Sequence, residues 1–222
     1  MTDTKQTLAI LGGTGNEGSG LAFRWGHAGH KVILGSRSPE KAVQVAEELN
    51  TLLGRKMFSG ADNLSAAKQA EIVVLTVPFA AQKPTVNDVR DALDGKILVD
   101  VTVPLVPPKV SRVQLPPEGS AVEAVQKLLG PGVRVVSAFQ NVGAHHLKDL
   151  DFKVDCDVLV AGDDVEARAI VIELAKTAGM RAWHAGPLAN SVVAEALTSV
   201  LIAINQRYKV PSAGIRITGV PE

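Results

Sequence analysis

Short apolar runs alternate with longer segments of helical periodicity along nearly the whole chain. The runs are apolar at almost every position, which is typical of parallel strands that are buried on both faces. Strands are predicted over 8–11, 31–34, 56–59, 72–77, 96–101, 133–137, 154–161 and 180–184. Helices are predicted over 15–28, 39–53, 62–70, 82–93, 120–129, 163–178 and 188–207, with Asp62 as the N-cap of the third.

Strands that alternate with helices predict an α/β fold with a mostly parallel sheet covered by helices on both faces. The sharpest change in composition is the segment 103–117, which holds five of the 12 prolines. Because this segment follows a strand, we expect it to lie over the carboxyl edge of the sheet. It is either an ordered loop of the functional site or a solvated connection.

Composition excludes several classes of function. The 23 basic and 23 acidic residues cancel, so no field of one sign would attract nucleic acid or an anionic membrane surface. Aromatic residues are only 4%, which leaves few platforms on which bases could stack. One cysteine, Cys156, a polar start and no apolar run of membrane-spanning length predict a cytoplasmic protein.

A glycine-rich loop directly follows the first strand and opens the first helix. Its residues are Gly13, Thr14, Gly15, Asn16, Glu17 and Gly18, which fit the G-x-G-x-x-G pattern. In that pattern the first glycine makes a tight turn, the second lets the backbone approach a pyrophosphate and the third lets helix and strand pack closely. The loop therefore predicts a Rossmann-type, doubly wound fold that binds a dinucleotide, the alternative being a plain glycine-rich turn.

The end of the second strand predicts which dinucleotide is bound. NAD-selective sites place a carboxylate there to bind the ribose hydroxyls, whereas this strand ends in Ser36 and Arg37. A hydroxyl and a guanidinium would bind a 2′-phosphate, with Thr14 as a further contact and Lys41 among the cofactor-binding candidates. This interpretation favours NADP(H). The alternative is that these are solvent-facing turn residues.

Further candidates for cofactor binding lie at the ends of later strands. Two strands end where a nicotinamide is expected, with Thr76, Val77, Pro78 and Val101. A third strand end, with Gln140 and Val142, is polar enough to meet a ligand. These residues either line the crevice or simply end their strands.

No catalytic residue and no metal site can be named from the sequence. The adjacent His145 and His146 would diverge on a helix, and His184 is expected to be a core or interface histidine. The Tyr-x-x-x-Lys pair of short-chain dehydrogenases is absent, since Tyr208 is the one tyrosine. Hydride transfer between two ring cofactors needs mainly alignment, so it suits this chain better than oxidation of an alcohol.

Several stretches together resemble the family of F420-dependent NADP oxidoreductases. They are 11–18, 35–37, 161–164, 186–191 and 195–198, and the proline-rich stretch 103–113 is also similar. The stretches span nearly the whole chain, and those after residue 185 are far more specific than the glycine loop.

The resemblance implies reversible hydride transfer between nicotinamide C4 of NADPH and C5 of the deazaflavin coenzyme F420. It implies an extended NADP-binding Rossmann domain over 1–186 and a small C-terminal helical segment over 187–222 that covers the active site. It also implies that Thr14, Ser36 and Arg37 hold the 2′-phosphate. Gln140 stands where family members carry a histidine, so a flavin or another flat acceptor could replace F420.

Two other functions remain open at this point. One is a non-catalytic NADP(H)-sensing Rossmann protein, and the other is a small dehydrogenase related to the hydroxyacid or imine reductases. The second would need a larger C-terminal domain than the residues after Gly186 provide. The last predicted helix is broadly apolar, and we therefore expect a homodimer.

Overall fold

The computed structural model of the protein describes residues 5–220. Its strands are β1 (Thr7–Leu11), β2 (Lys31–Ser36), β3 (Phe58–Asp62), β4 (Ile72–Leu75), β5 (Ile97–Asp100), β6 (Arg134–Ser137), β7 (Val158–Gly162) and β8 (Ala182–Gly186). Its α-helices are α1 (Asn16–His27), α2 (Pro39–Leu53), α3 (Asn63–Gln69), α4 (Phe79–Val89), α5 (Ala121–Leu129), α6 (Val165–Thr177) and α7 (Ser191–Tyr208). Short 3-10 turns occupy Arg90–Ala92, Ala144–His146 and Leu188–Asn190.

The strands form one sheet in the order β3-β2-β1-β4-β5-β6-β7-β8. Strands β1 to β6 are parallel, β7 is antiparallel to β6, and β8 is parallel to β7. The chain order reverses between β1 and β4, which makes a crevice at their carboxyl ends. The α/β, Rossmann-type, mostly parallel sheet expected from the sequence is confirmed.

Each face of the sheet carries its own apolar core. Alternate residues of β1 belong to different cores: Leu8 and Ile10 pack under α1, α2 and α6, whereas Ala9 and Leu11 pack under α3, α4 and α5. Burial on both faces is the reason why these strands are apolar at every position.

Side-chain caps set where several helices begin. Ser38, Asp62, Ser120 and Asp164 each accept a hydrogen bond from the backbone N–H three residues later. The cap expected at Asp62 is confirmed, with its Oδ1 accepting from the N–H of Ser65 at 2.8 Å. Gly54 ends α2 in the left-handed conformation, at φ +73°.

Several expected boundaries were wrong, and three element starts were displaced by three or four residues. Helix α4 begins at Phe79, directly after Pro78, and not at residue 82. Strand β7 begins at Val158 and not at 154, because the N–H of Asp157 bonds to the carbonyl of Ile215 in the C-terminal tail. Helix α7 begins at Ser191, after a 3-10 turn, and not at 188.

His184 was expected to be a core or interface histidine; it is exposed, so it does not belong to the core. It lies on β8, which is the edge strand of the sheet, so its ring faces solvent.

Candidate functional site

A cleft of about 330 Å³ lies at the switch point of the sheet, over the carboxyl ends of β1, β2 and β4. Of the candidates named from the sequence, it brings together Thr14, Gly15, Ser36, Arg37, Lys41, Thr76, Val77 and Pro78. The other lining residues, which the sequence reasoning missed, are Gly12, Ser38, Asn63, Ala81 and Thr85. Gly12, Ser38, Asn63 and Ala81 flank motif residues or lie in the first turn of a helix, whereas Thr85 lies in the middle of α4 and had no signal in the sequence.

Gly12 makes the tight turn of the glycine loop, the role that we expected of Gly13. Gly12 has φ +79°, whereas Gly13 keeps an ordinary φ and donates its N–H to the carbonyl of Ile10 at 3.0 Å. A Cβ on Gly13 would lie 2.7 Å from that same oxygen. Sequence alone could not tell which of two adjacent glycines turns the chain.

Gly15 and Gly18 differ in the space around them. A Cβ on Gly18 would lie 2.5 Å from Thr76 Oγ1 and 2.9 Å from the carbonyl of Gly12, so this glycine lets α1 pack against the strand ends. A Cβ on Gly15 would meet only the carbonyl of Gly12, at 3.4 Å. Gly15 therefore faces the open cleft, where the backbone must stay bare if a pyrophosphate is to approach it.

The first turn of α1 has no side-chain cap. Gly15 occupies the N-cap position, so the first N–H groups of the helix have no side-chain partner there. Such groups, together with the helix dipole, favour an anion.

The β2 end of the cleft is cationic. Ser36 is nearly buried, and its Oγ accepts from the N–H of Ser38 at 3.2 Å, while Arg37 and Lys41 are exposed. The described residues that line the cleft include no carboxylate. The carboxylate of Asp62 nearby is turned into the cap of α3. This end of the cleft suits a phosphate group.

Glu17 is half-buried in the first turn of α1. Burial raises the pKa of its carboxyl to about 8. A raised pKa favours the neutral carboxyl, which lessens the negative charge beside the anion-binding end of the helix.

Val101, Gln140 and Val142 do not line the cleft. All of them are nearly buried beyond it, at the ends of β5 and β6. The Nε2 of Gln140 donates to the carbonyl of Asp100 at 2.8 Å, and its Oε1 is buried with no hydrogen-bond partner.

A buried polar cluster lies behind these strand ends. Asp100 is fully buried and accepts from Gln82 Nε2 at 2.6 Å and from the N–H of Thr102 at 2.9 Å. Burial is the main cause that raises the pKa of Asp100 to about 6, and the nearby Glu195 raises it further. Sequence reasoning missed this carboxyl, although an Asp that ends an otherwise apolar strand is a usable signal.

The histidines do not form a site. His145 is exposed, and the ring of His146 stacks on Phe152 with centroids 4.1 Å apart. Within residues 5–220, no three His, Cys, Asp or Glu side chains lie close enough to bind a metal ion.

Two of the sequence stretches after residue 160 meet in space. Asp163 Oδ1 accepts from the N–H of Leu188 at 2.9 Å, and Asp164 caps α6. These contacts join the turn after β7 to the turn that leads into α7.

The sequence matches the family model described as NADP oxidoreductase coenzyme F420-dependent over residues 7–104. The F420-dependent NADP reductase of Methanocaldococcus jannaschii is 42% identical over 96% of this chain and 98% of its own. That of Methanothermobacter thermautotrophicus is 43% identical over 97% of this chain and 96% of its own.

Solved structures agree. A protein of Arthrobacter sp. FB24 assigned as an F420-dependent NADP reductase superposes with a TM-score of 0.79, at 26% identity, covering 96% of this chain and 99% of that one. An imine reductase of Myxococcus stipitatus shares the fold at a TM-score of 0.60 and 18% identity, with 68% of its own chain covered. Matching at more than 40% identity from end to end, the chain belongs to the family of F420-dependent NADP reductases.

Proposed function

We propose that the protein transfers a hydride reversibly between NADPH and coenzyme F420. The observation that carries this proposal is the match to F420-dependent NADP reductases over nearly the full length of both chains. The cationic, carboxylate-free cleft at the switch point supports the NADPH half independently.

The NADPH site is proposed from the geometry of the cleft. The bare backbone of Gly15 and the start of α1 hold the pyrophosphate. Ser36 and Arg37 bind the 2′-phosphate, with Thr14 and Lys41 beside them. The nicotinamide then extends towards Thr76, Val77 and Pro78, which form the wall of the cleft at the end of β4.

The acceptor site is proposed beside the loop that follows β6. The unpartnered Oε1 of Gln140 offers a buried acceptor that an N–H of a flat ring can satisfy, which is the chemistry of deazaflavin and flavin rings alike. A bound deazaflavin supplies the electrophilic ring carbon. The chain's residues align the two rings and exclude water, which is the main requirement of a direct hydride transfer.

Mixing the pure protein with NADPH and F420 tests the function. We expect the deazaflavin absorbance to bleach as NADPH is consumed, and to return on adding NADP⁺ to the reduced coenzyme. FMN and FAD serve as parallel acceptors at the same concentration. Preference for a flavin would move the proposal to that acceptor, and NADPH binding with no turnover of any of them would favour a sensor.

We also propose a cytoplasmic homodimer in which 187–222 covers the acceptor side of the active site. Exposed apolar side chains form a stripe along α7, which consists of Val193, Val200, Ile204 and Tyr208. Together with the preceding 3-10 turn, this helix is long and apolar enough to cross a membrane by length and composition alone. Its opposite face carries the fully buried Glu195, bonded to α5, which supports packing within the protein.

A further inference from the structure

The stretch Glu195–Thr198 of α7 was singled out by the sequence, yet the proposed function gives it no role. Glu195 and Thr198 are three residues apart and so lie on one face of the helix. Each side chain reaches a different loop at the carboxyl edge of the sheet.

Glu195 accepts hydrogen bonds from residues 120–122, which follow the proline-rich loop. One carboxylate oxygen accepts from Ser120 Oγ at 2.6 Å and from the N–H of Val122 at 3.2 Å, and the other accepts from the N–H of Ala121 at 2.8 Å. A carboxylate on the first N–H groups of α5 satisfies orphan donors and complements the helix dipole. Glu195 therefore fixes the end of the loop that crosses the sheet after β5.

Thr198 binds the loop that follows β6. Its Oγ1 donates to the carbonyl of Gln140 at 2.8 Å and accepts from Asn141 Nδ2 at 3.1 Å. Asn141 Nδ2 also donates to the carbonyl of Ala194 at 2.8 Å. The backbone carbonyl of Gln140 and the side chain of Asn141 are thus both tied to one turn of α7.

The same loop holds a strained residue. Phe139 has φ +72°, a left-handed conformation that is unfavourable for a bulky side chain. Such strain persists only where the surrounding structure fixes it. The ring of Phe139 is buried edge-on against Trp25, with centroids 5.7 Å apart, so α1 holds the side chain while α7 holds the next peptide.

We propose that Thr198 and Glu195 are positioning residues for the hydride acceptor, holding the β6 loop and the start of α5 at a fixed separation. Thr198 holds the backbone carbonyl of Gln140, the residue beside which the acceptor site is proposed. This inference rests on the proposed acceptor site beside Gln140.

The test compares Thr198→Val, which keeps the shape but loses the hydroxyl, with Thr198→Ser, which keeps it. We expect Thr198→Val to raise the KM for F420 about tenfold, which is the effect of one lost hydrogen bond. Thr198→Ser keeps the hydroxyl and should leave this KM near the wild-type value. The Kd for NADPH, measured by direct titration, should stay within about twofold, because the loop does not line the NADPH cleft. Ser199→Ala, at the neighbouring buried hydroxyl, is the matched control and should change neither constant.

A second readout does not depend on turnover. In a Trp183→Phe background Trp25 is the remaining tryptophan, and Thr198→Val should change its emission if the Phe139 loop loosens. Unchanged emission with an unchanged KM would overturn the inference, and so would equal losses for F420 and NADPH. Wild-type protein that binds NADPH yet reduces no F420 would refute the proposed acceptor, and this inference with it.

Discussion

We expect the choice between NADPH and NADH to depend on Arg37. It is exposed at the end of β2, in a cleft wall whose described residues include no carboxylate. An exposed guanidinium forms weaker bonds to phosphate than a buried one, so the low end of the range for charge-assisted hydrogen bonds applies.

Arg37→Ala should weaken NADPH binding about 30-fold, which corresponds to about 2 kcal/mol. NADH lacks the phosphate, so its Kd should hardly change. Titration of both nucleotides measures this, and Arg90→Ala, which removes the same charge away from the cleft, is the control. An equal loss for both nucleotides would show that Arg37 supports the fold or the adenine instead.

Asp100 makes stability depend on pH in an unusual direction. Its pKa of about 6 in the fold lies above the ordinary 3.8, because burial favours the neutral carboxyl. The contribution of Asp100 to the free energy of unfolding is fully present below pH 4 and is lost as the pH rises through 6. Gln82, Thr102 and Glu195 face the carboxyl and do not neutralise its charge.

The free energy of unfolding should therefore fall by up to about 3 kcal/mol between pH 4 and pH 7 on account of Asp100. Glu17, whose pKa is raised from 4.5 to about 8, adds a decline that overlaps this pH range, so the measurement uses Glu17→Gln protein. Urea unfolding of Glu17→Gln with and without Asp100→Asn isolates the effect. A difference between the two variants that stays constant with pH would contradict the assignment.

The element that organises the proposed NADPH cleft is the turn from β1 into α1. Its glycines perform two separable tasks, since Gly18 is enclosed by Thr76 and the carbonyl of Gly12, whereas Gly15 faces open space. We expect Gly18 to be required by the fold and Gly15 to be required for ligand binding.

Gly15→Val should abolish nucleotide binding with the melting temperature nearly unchanged, because the new side chain takes the space of the pyrophosphate. Gly18→Val should lower the melting temperature strongly, because the side chain collides with backbone and with Thr76. Calorimetric titration and thermal unfolding of both variants give the comparison. Equal stability of the two variants would mean that the turn tolerates both side chains.

Elements that depend on local signals could be predicted from the sequence. Strand positions followed from apolar runs, and the start of α3 followed from Asp62. Elements that depend on distant partners could not. The start of β7 is set by a bond from Asp157 to the tail some 60 residues later, and the conformation of Phe139 is held by α1 and α7.

The candidate site likewise has features that local sequence signals predict and features that depend on distant contacts. The sequence located the cleft because Gly15, Ser36 and Arg37 sit at fixed places of a known pattern. It did not reveal Asp100 or the contacts of Thr198, because these depend on which helix covers which strand end. Gln140 was named as a candidate, and its unpartnered oxygen became visible only once its other contacts were known.

At the scale of the whole molecule, α7 joins the proposed acceptor site to a surface. One face binds the loops at the sheet edge, while the other exposes the stripe of Val193, Val200, Ile204 and Tyr208. A second copy that packs on this stripe would bury the exposed part of these side chains, worth about 1 kcal/mol each. It would also hold α7 rigid against the acceptor loop, so dimerisation and F420 affinity should be coupled.

Val200→Glu combined with Ile204→Glu should convert a dimer into a monomer, because each dimer would then bury four carboxylates against apolar surface. Light scattering after size exclusion at several protein concentrations measures the state. Leu52→Glu, at an exposed apolar position on α2, is the control and should leave the dimer intact. If the coupling holds, the monomeric variant shows a raised KM for F420 and an unchanged Kd for NADPH. A wild-type protein that is monomeric at all concentrations would rule out the stripe as an interface between copies.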